Sequence, residues 1–221
     1  TLIANLLEKE EIITAKNKIQ FYIKSGLIKQ SNDTQKSIDT VKILKSITNL
    51  IDQTKSLEYF SQGYDLNDQA FSEKNTVKKV TLYWKAITKF SQAIIYDPNH
   101  SYSYQSKGVA YKELGYYYGQ SFYKKALENF NKAVEYDPGN EYNFYLRGVT
   151  LNKLGKHKEA ITDLKKVSKQ EDEWIFQYNY AEALLKTGNK KEGCRRYKLF
   201  LKLNSSYKFT KAEKEFFKQC K

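Results

Sequence analysis

Only four side chains in the 221 residues have ready nucleophilic or metal-ligating chemistry: His100, His157, Cys194 and Cys220. A zinc site needs such residues in tight pairs, and these four are scattered along the chain. Neither histidine has a second catalytic group at a recognisable spacing, so both read as structural or surface residues. Gly188-x4-Gly193 has the glycine spacing of a phosphate loop. Cys194-Arg195 follows it, however, where that loop requires Lys and Ser or Thr. Lys186-Thr187-Gly188 reads as a helix-ending turn. No carboxylate pairing is visible. The expectation is a chain with no catalytic residue, no metal and no cofactor, and therefore not an enzyme.

Composition points to helices. The chain has two prolines and ten glycines and is 40% hydrophobic, which is enough for a continuous core with few breakers. No apolar run approaches the ~18 residues of a membrane span. The chain opens on Thr1, so the expectation includes a removed upstream segment. That leaves the compartment open: cytoplasmic, or periplasmic and membrane-tethered if a signal or anchor preceded Thr1. Net charge is +13, and residues 186–221 hold most of it, with 12 Lys and Arg against three acids. Such a field speeds encounter with acidic partners, anionic surfaces or nucleic acid.

The elements that position these residues announce themselves by repetition. Ala86-x3-Phe90-x2-Ala93 before Asp97-Pro98 returns as Ala126-x3-Phe130-x2-Ala133 before Asp137-Pro138. Ala160-x3-Leu164-x2-Val167 and Gly193-x3-Tyr197-x2-Phe200 follow. A step of four and then three keeps each set on one helical stripe, led by a small residue that admits a close neighbour. Upstream of each stripe a second helix carries its own small residue: Gly63, Gly108, Gly148 and Ala181. Leu114-Gly115, Leu154-Gly155 and Thr187-Gly188 supply turns between the paired helices. About eleven extra residues in the first pair and six in the second, around Tyr116-Tyr117-Tyr118-Gly119, either lengthen those helices or bulge at the turn.

This register resembles the tetratricopeptide repeat over residues 56–204. The resemblance implies an all-α, right-handed α-α superhelix of four repeats, at about 56–98, 99–138, 139–172 and 173–205. Residues 206–221 follow as a capping helix, with Phe216 and Phe217 facing inward to cover the last unit. Residues 1–55 lie outside the repeat. Their apolar patterns, broken at Gly26 and restarted after Ser31-Asn32-Asp33-Thr34, predict an N-terminal helical hairpin. The second arm would carry Ile38, Val41, Leu44, Ile47, Leu50 and Ile51. The hairpin could cap the array, dimerise or grip a partner. Cys194 and Cys220 read as two free thiols, with a bridge between the last repeat and the C-terminal helix as the alternative.

In the family resembled, the first helix of each pair lines the concave face. Its groove positions begin six residues before the small residue and step by three, four and three. Transferred to this chain, they give Phe60, Tyr64 and Asn67; Tyr102, Gln105, Val109 and Lys112; Tyr142, Tyr145, Val149 and Asn152; and Ile175, Tyr178, Glu182 and Leu185. Some relatives clamp a C-terminal carboxylate there with several basic side chains. Lys112 alone is basic here and Glu182 opposes a carboxylate, so that activity does not transfer. Phenols suit an extended peptide or an amphipathic helix, since each buries a large ring and keeps a hydroxyl for hydrogen bonding. The expectation is a scaffold or chaperone-like adaptor that binds and stabilises another protein through Phe60, Tyr64, Tyr102, Gln105, Tyr142, Tyr145 and Tyr178, or through the hairpin.

The alternative uses the basic surface of Lys190, Lys191, Arg195, Arg196, Lys198 and Lys202 to bind nucleic acid or an anionic surface. The aromatics among those residues, Tyr197 and Phe200, belong to the repeat stripe, which weakens it. Lys165, Lys166 and Lys169 form a second basic set on the helix before. Membrane contact is expected only through an unseen N-terminal anchor, and homodimerisation through the hairpin.

Overall fold

The structure, a computed structural model, describes Phe21, residues 34–168 and residues 172–220. Nine helices span the described residues after Thr34, with no strand among them. They are α1 (Thr34–Ser72), α2 (Thr76–Tyr96), α3 (Ser101–Tyr118), α4 (Gln120–Tyr136), α5 (Glu141–Lys153), α6 (His157–Leu164), α7 (Trp174–Lys186), α8 (Lys190–Leu203) and α9 (Lys211–Phe217). Helices α1 to α8 each pair with their neighbours in sequence, and alternate helices α1, α3, α5 and α7 also touch in succession. The result is a superhelix of antiparallel pairs with its core between the layers.

The small residues set the pairing distance. A Cβ added at Gly63 would lie 2.7 Å from the Phe90 ring, and one at Gly108 2.7 Å from Phe130. At Gly148 it would meet Leu164 at 3.0 Å. The small residue on each first helix thus receives the large residue of the stripe on its partner. Ala86, Ala126 and Ala160, which lead the stripes, are fully buried, as are Phe90, Phe130 and Leu164. Each such aromatic contributes ~1.5–3 kcal/mol of burial. Ser56 and Ser101 repeat a second contact: their hydroxyls donate to the buried carbonyls of Ala93 (2.9 Å) and Ala133 (3.0 Å).

Helix ends follow local chemistry. Tyr96 and Tyr136 end their helices because Asp97 and Asp137 turn extended ahead of proline. Asn75 accepts the N–H of Lys78 at the start of α2 (3.0 Å), and Asn140 that of Tyr142 at the start of α5 (3.1 Å). The extra residues of the first two repeats lengthen the helices and do not bulge. The α1–α2 link is residues 73–75, and Gly119 alone joins α3 to α4. Its φ of 79° is a conformation only glycine adopts without strain.

Three expectations need correction or limits. The first arm of the hairpin lies outside the described residues, as do Gly26 and the Ser31–Asp33 segment. The second arm does not end near residue 55, because α1 runs unbroken from Thr34 to Ser72. No glycine or proline lies between Thr34 and Gly63, and Gly63 is held helical by Phe90. Along that arm Ile51 is buried, Ile47 half-buried and Leu50 exposed. Nothing is described of the Ile38, Val41 and Leu44 side chains. Third, α6 stops at Leu164, so Lys165 and Lys166 lie beyond the helix and Lys169 outside the described residues. Val167 is buried although it follows the last helical turn.

The free-thiol reading of the cysteines is overturned: Cys194 and Cys220 are disulfide-bonded, with Cα atoms 5.1 Å apart. The cause is the seat of the C-terminal cap. Phe217 is buried and stacks on Tyr197 at 4.2 Å between centroids, with Phe216 half-buried beside it. That docking carries the 3₁₀ turn Lys218–Cys220 onto the first half of α8.

Candidate binding groove

The groove positions form a line along the inner helices. The first position of each repeat, six residues before the small residue, is Leu57, Tyr102, Tyr142 or Ile175. All four are large, apolar and exposed, at 57%, 51%, 42% and 43%. Core residues one helical step away, such as Ser56, Ser101 and Phe176, are buried.

The remaining expected residues divide by depth. Tyr64 is exposed at the outer end of the face. Phe60 is half-buried, packed against Phe90 and against His100 edge-on at 5.1 Å. Gln105 is committed internally, donating to Asn143 Oδ1 at 2.6 Å. Asn143 in turn donates to the Ala133 carbonyl, so this pair fixes repeat two against repeat three. Tyr145 is buried against Phe176 and stays in reach of Tyr142, 5.7 Å away. Burial raises the Tyr145 phenol far above its ordinary pKa, so it remains a neutral hydrogen-bonding group.

Tyr178 is held by the cap. Its hydroxyl donates to Glu213 Oε1 at 2.8 Å, and the Tyr207 hydroxyl donates to the same oxygen at 2.9 Å. Glu213 Oε2 accepts from the Thr210 N–H and hydroxyl, completing a capping box. Burial works to raise the Glu213 pKa. The hydrogen bonds from Thr210, Tyr178 and Tyr207 outweigh it and hold the carboxyl at about 2.

These contacts close the groove at its C-terminal end around a cavity of about 310 Å³. Tyr145, Ile175 and Tyr178 line it with Lys112, as the groove register implies. Tyr116, Trp174, Tyr207 and Glu213 line it too, and the sequence reading missed them. Tyr116 continues the Tyr102, Gln105, Val109, Lys112 stripe by one more step, so that register carried through the extra residues finds it. Thr210-x-x-Glu213 is a legible capping box. Trp174 and Tyr207 have no local signal. Lys112 pairs with Glu113 at 2.8 Å, which preserves its charge against burial.

The basic candidates are less uniform than their sequence. Lys190, Lys191, Lys198 and Lys202 are exposed. Arg195 and Arg196 both bind Glu192, at 2.6 and 2.9 Å, and Arg196 also lies 4.6 Å over the Tyr180 ring. The hydrogen bonds from Arg195 and Arg196 hold Glu192 at a pKa of about 2. His100 Nδ1 lies 2.7 Å from the Ser103 hydroxyl, and burial lowers its pKa. His157 Nδ1 lies 2.7 Å from Asn152 Oδ1. Among the described residues no three His, Cys, Asp or Glu side chains gather as metal ligands, and no helix is long and apolar enough to cross a membrane.

The fold is that of tetratricopeptide-repeat proteins. YrrB, described as a TPR protein with an unusual peptide-binding site, superposes with a TM-score of 0.52 at 20% identity, over 70% of this chain and 72% of its own. MamA superposes at 0.53 with 16% identity, over 90% of this chain and 97% of its own. A MamA RS-1 double mutant reaches 0.54 at 14% identity, over 93% and 92%. No protein-family model and no curated protein matches the sequence.

Proposed function

We propose that this protein is a non-catalytic scaffold that holds a segment of another protein along its concave face. The row of Leu57, Tyr102, Tyr142 and Ile175 carries the reading, because large apolar side chains left exposed at equivalent positions of successive repeats mark an interaction site. The cavity between Lys112 and Tyr178 would take the end of that segment or one bulky side chain from it. YrrB's described peptide-binding site supports a peptide as the occupant class. Residues 1–55 offer a second place for a partner, or for another copy of the chain. The disulfide supports an oxidising compartment, which among the expected locations favours the periplasmic one.

Affinity capture tests the reading. The wild-type chain retains its partner, and Tyr102→Ser with Tyr142→Ser releases it while helicity is unchanged. Retention by the double variant rejects the groove. Nucleic-acid binding through the basic end is the weaker reading, since Glu192 already engages Arg195 and Arg196. It requires affinity that falls steeply with salt.

A further inference from the structure

The links within repeats, α1–α2, α3–α4, α5–α6 and α7–α8, all lie along one edge of the superhelix, because antiparallel pairs stack in one sense. Two features coincide there. First, the edge is basic at every link. Lys74 and Lys78 stand at the first, Lys124 and Lys125 at the second, Lys156 and Lys158 at the third, and Lys190 and Lys191 at the fourth, all exposed. Fewer acids stand against them: Asp68 and Glu73 at the first link, Glu159, which pairs with Lys156, at the third, and Glu192, which pairs with its arginines, at the fourth. The opposite edge carries Asp97, Asp137, Glu141, Asp172 and Glu173.

Second, the first two links project. Helix α3 runs ten residues past Gly108, whereas α5 runs five past Gly148. At ~1.5 Å per residue the added length is ~7 Å. The projecting tips are apolar or aromatic and exposed: Phe71 and Val77 at 76% each, Tyr117 and Tyr118 at 45% and 52%. Trp84 is also partly exposed, edge-on to Phe122.

We propose that this edge docks on an anionic phospholipid surface, with the tips Phe71–Val77 and Tyr117–Tyr118 entering the interfacial region and the lysines meeting headgroups. Protruding aromatics flanked by lysine suit that interface, where rings partition at headgroup depth and each lysine adds attraction. A folded, sequence-specific protein partner would be better served by a recessed or flat face than by projecting helix tips. The edge reaches a membrane without an N-terminal anchor and leaves the concave face open to its partner.

Sedimentation with phosphatidylglycerol-containing vesicles at low salt tests this on the full chain. Wild type co-sediments with them and not with pure phosphatidylcholine. Lys124→Glu with Lys125→Glu lowers the partition coefficient at least ~tenfold, and Phe71→Ser with Tyr118→Ser lowers it comparably, with helicity intact in both. Lys198→Glu with Lys202→Glu, away from this edge, changes it less than twofold. A Tyr117→Trp reporter is quenched by brominated acyl chains. Absence of binding to anionic vesicles overturns the proposal, as does full binding by either tip variant. Binding without quenching overturns it too, because the lysines then read a soluble polyanion, acidic protein or nucleic acid.

Discussion

The Tyr178 hydroxyl donates to Glu213 across 35 residues of sequence, at 2.8 Å, and ties a groove phenol of the last repeat to the C-terminal cap. Tyr178 therefore lines the cavity at the C-terminal end, while Tyr102 and Tyr142 remain exposed.

The hydrogen bonds that Glu213 accepts from Thr210, Tyr178 and Tyr207 together make the cap sensitive to acid. The Glu213 carboxyl is held at about 2, below the unfolded value of ~4.3. A group with its folded pKa depressed stabilises the fold above its unfolded pKa. The stabilisation is lost as pH falls from about 4 to about 2. Near-UV circular dichroism of the Tyr178–Tyr207 cluster should shift over that interval before the helices melt. Glu213→Gln should show the loosened signal at neutral pH and no further change there on acidification.

The disulfide should stabilise the same end. Closing a loop with a sequence separation of 26 gives ~3 kcal/mol in the chain-entropy account. A reducing agent should lower the melting temperature of the C-terminal unit and expose the Phe217 region to protease. Cys220→Ser should behave like the reduced wild type and be indifferent to reductant. A reductant-insensitive wild type would contradict this.

Close pairing through glycine is testable by adding one methyl. Gly108→Ala places a carbon 2.7 Å from Phe130 and should cost ~1–3 kcal/mol in denaturant unfolding. Gly139→Ala meets nothing nearer than 3.8 Å and lacks a positive φ, so it should be neutral or stabilising by ~0.4–1 kcal/mol. Equal costs at the two sites would remove the pairing argument.

Two neighbouring phenols should separate stability from binding. Tyr145→Ala empties a buried site against Phe176 and should cost ~3 kcal/mol. Tyr142→Ala, at an exposed ring, should change stability by ~0.5 kcal/mol or less and lower partner affinity. Urea unfolding of both variants, with capture measured in parallel, checks the division.

Much of the pairing was legible because its cause is local. Ala126, Phe130 and Ala133 share a stripe through helical geometry alone, and Gly108 faces Phe130 because only a missing Cβ fits there. The groove register names Tyr102 and Tyr142, which are exposed, and extended by one step it reaches Leu57, also exposed, and Tyr116, which lines the cavity. Burial was not legible: nothing local distinguishes Tyr145, which is core, from Tyr142, which is surface. Contacts set by where the cap docks were equally invisible. The Cys194–Cys220 bond and the Tyr207–Glu213 contact depend on Phe217 finding Tyr197. The start of the repeat register does not mark a helix boundary, because no residue near Ser56 stops a helix and α1 runs through it.

The concave face itself is examined most directly by site-specific photo-crosslinking in the native host. A short-range crosslinker replacing Tyr102 or Tyr142 should give an adduct with one discrete partner protein. The same group at Thr162, on the outer helix α6, should give none with it. Adducts to that partner from Thr162 alone, or equally from all three sites, would contradict binding in the groove.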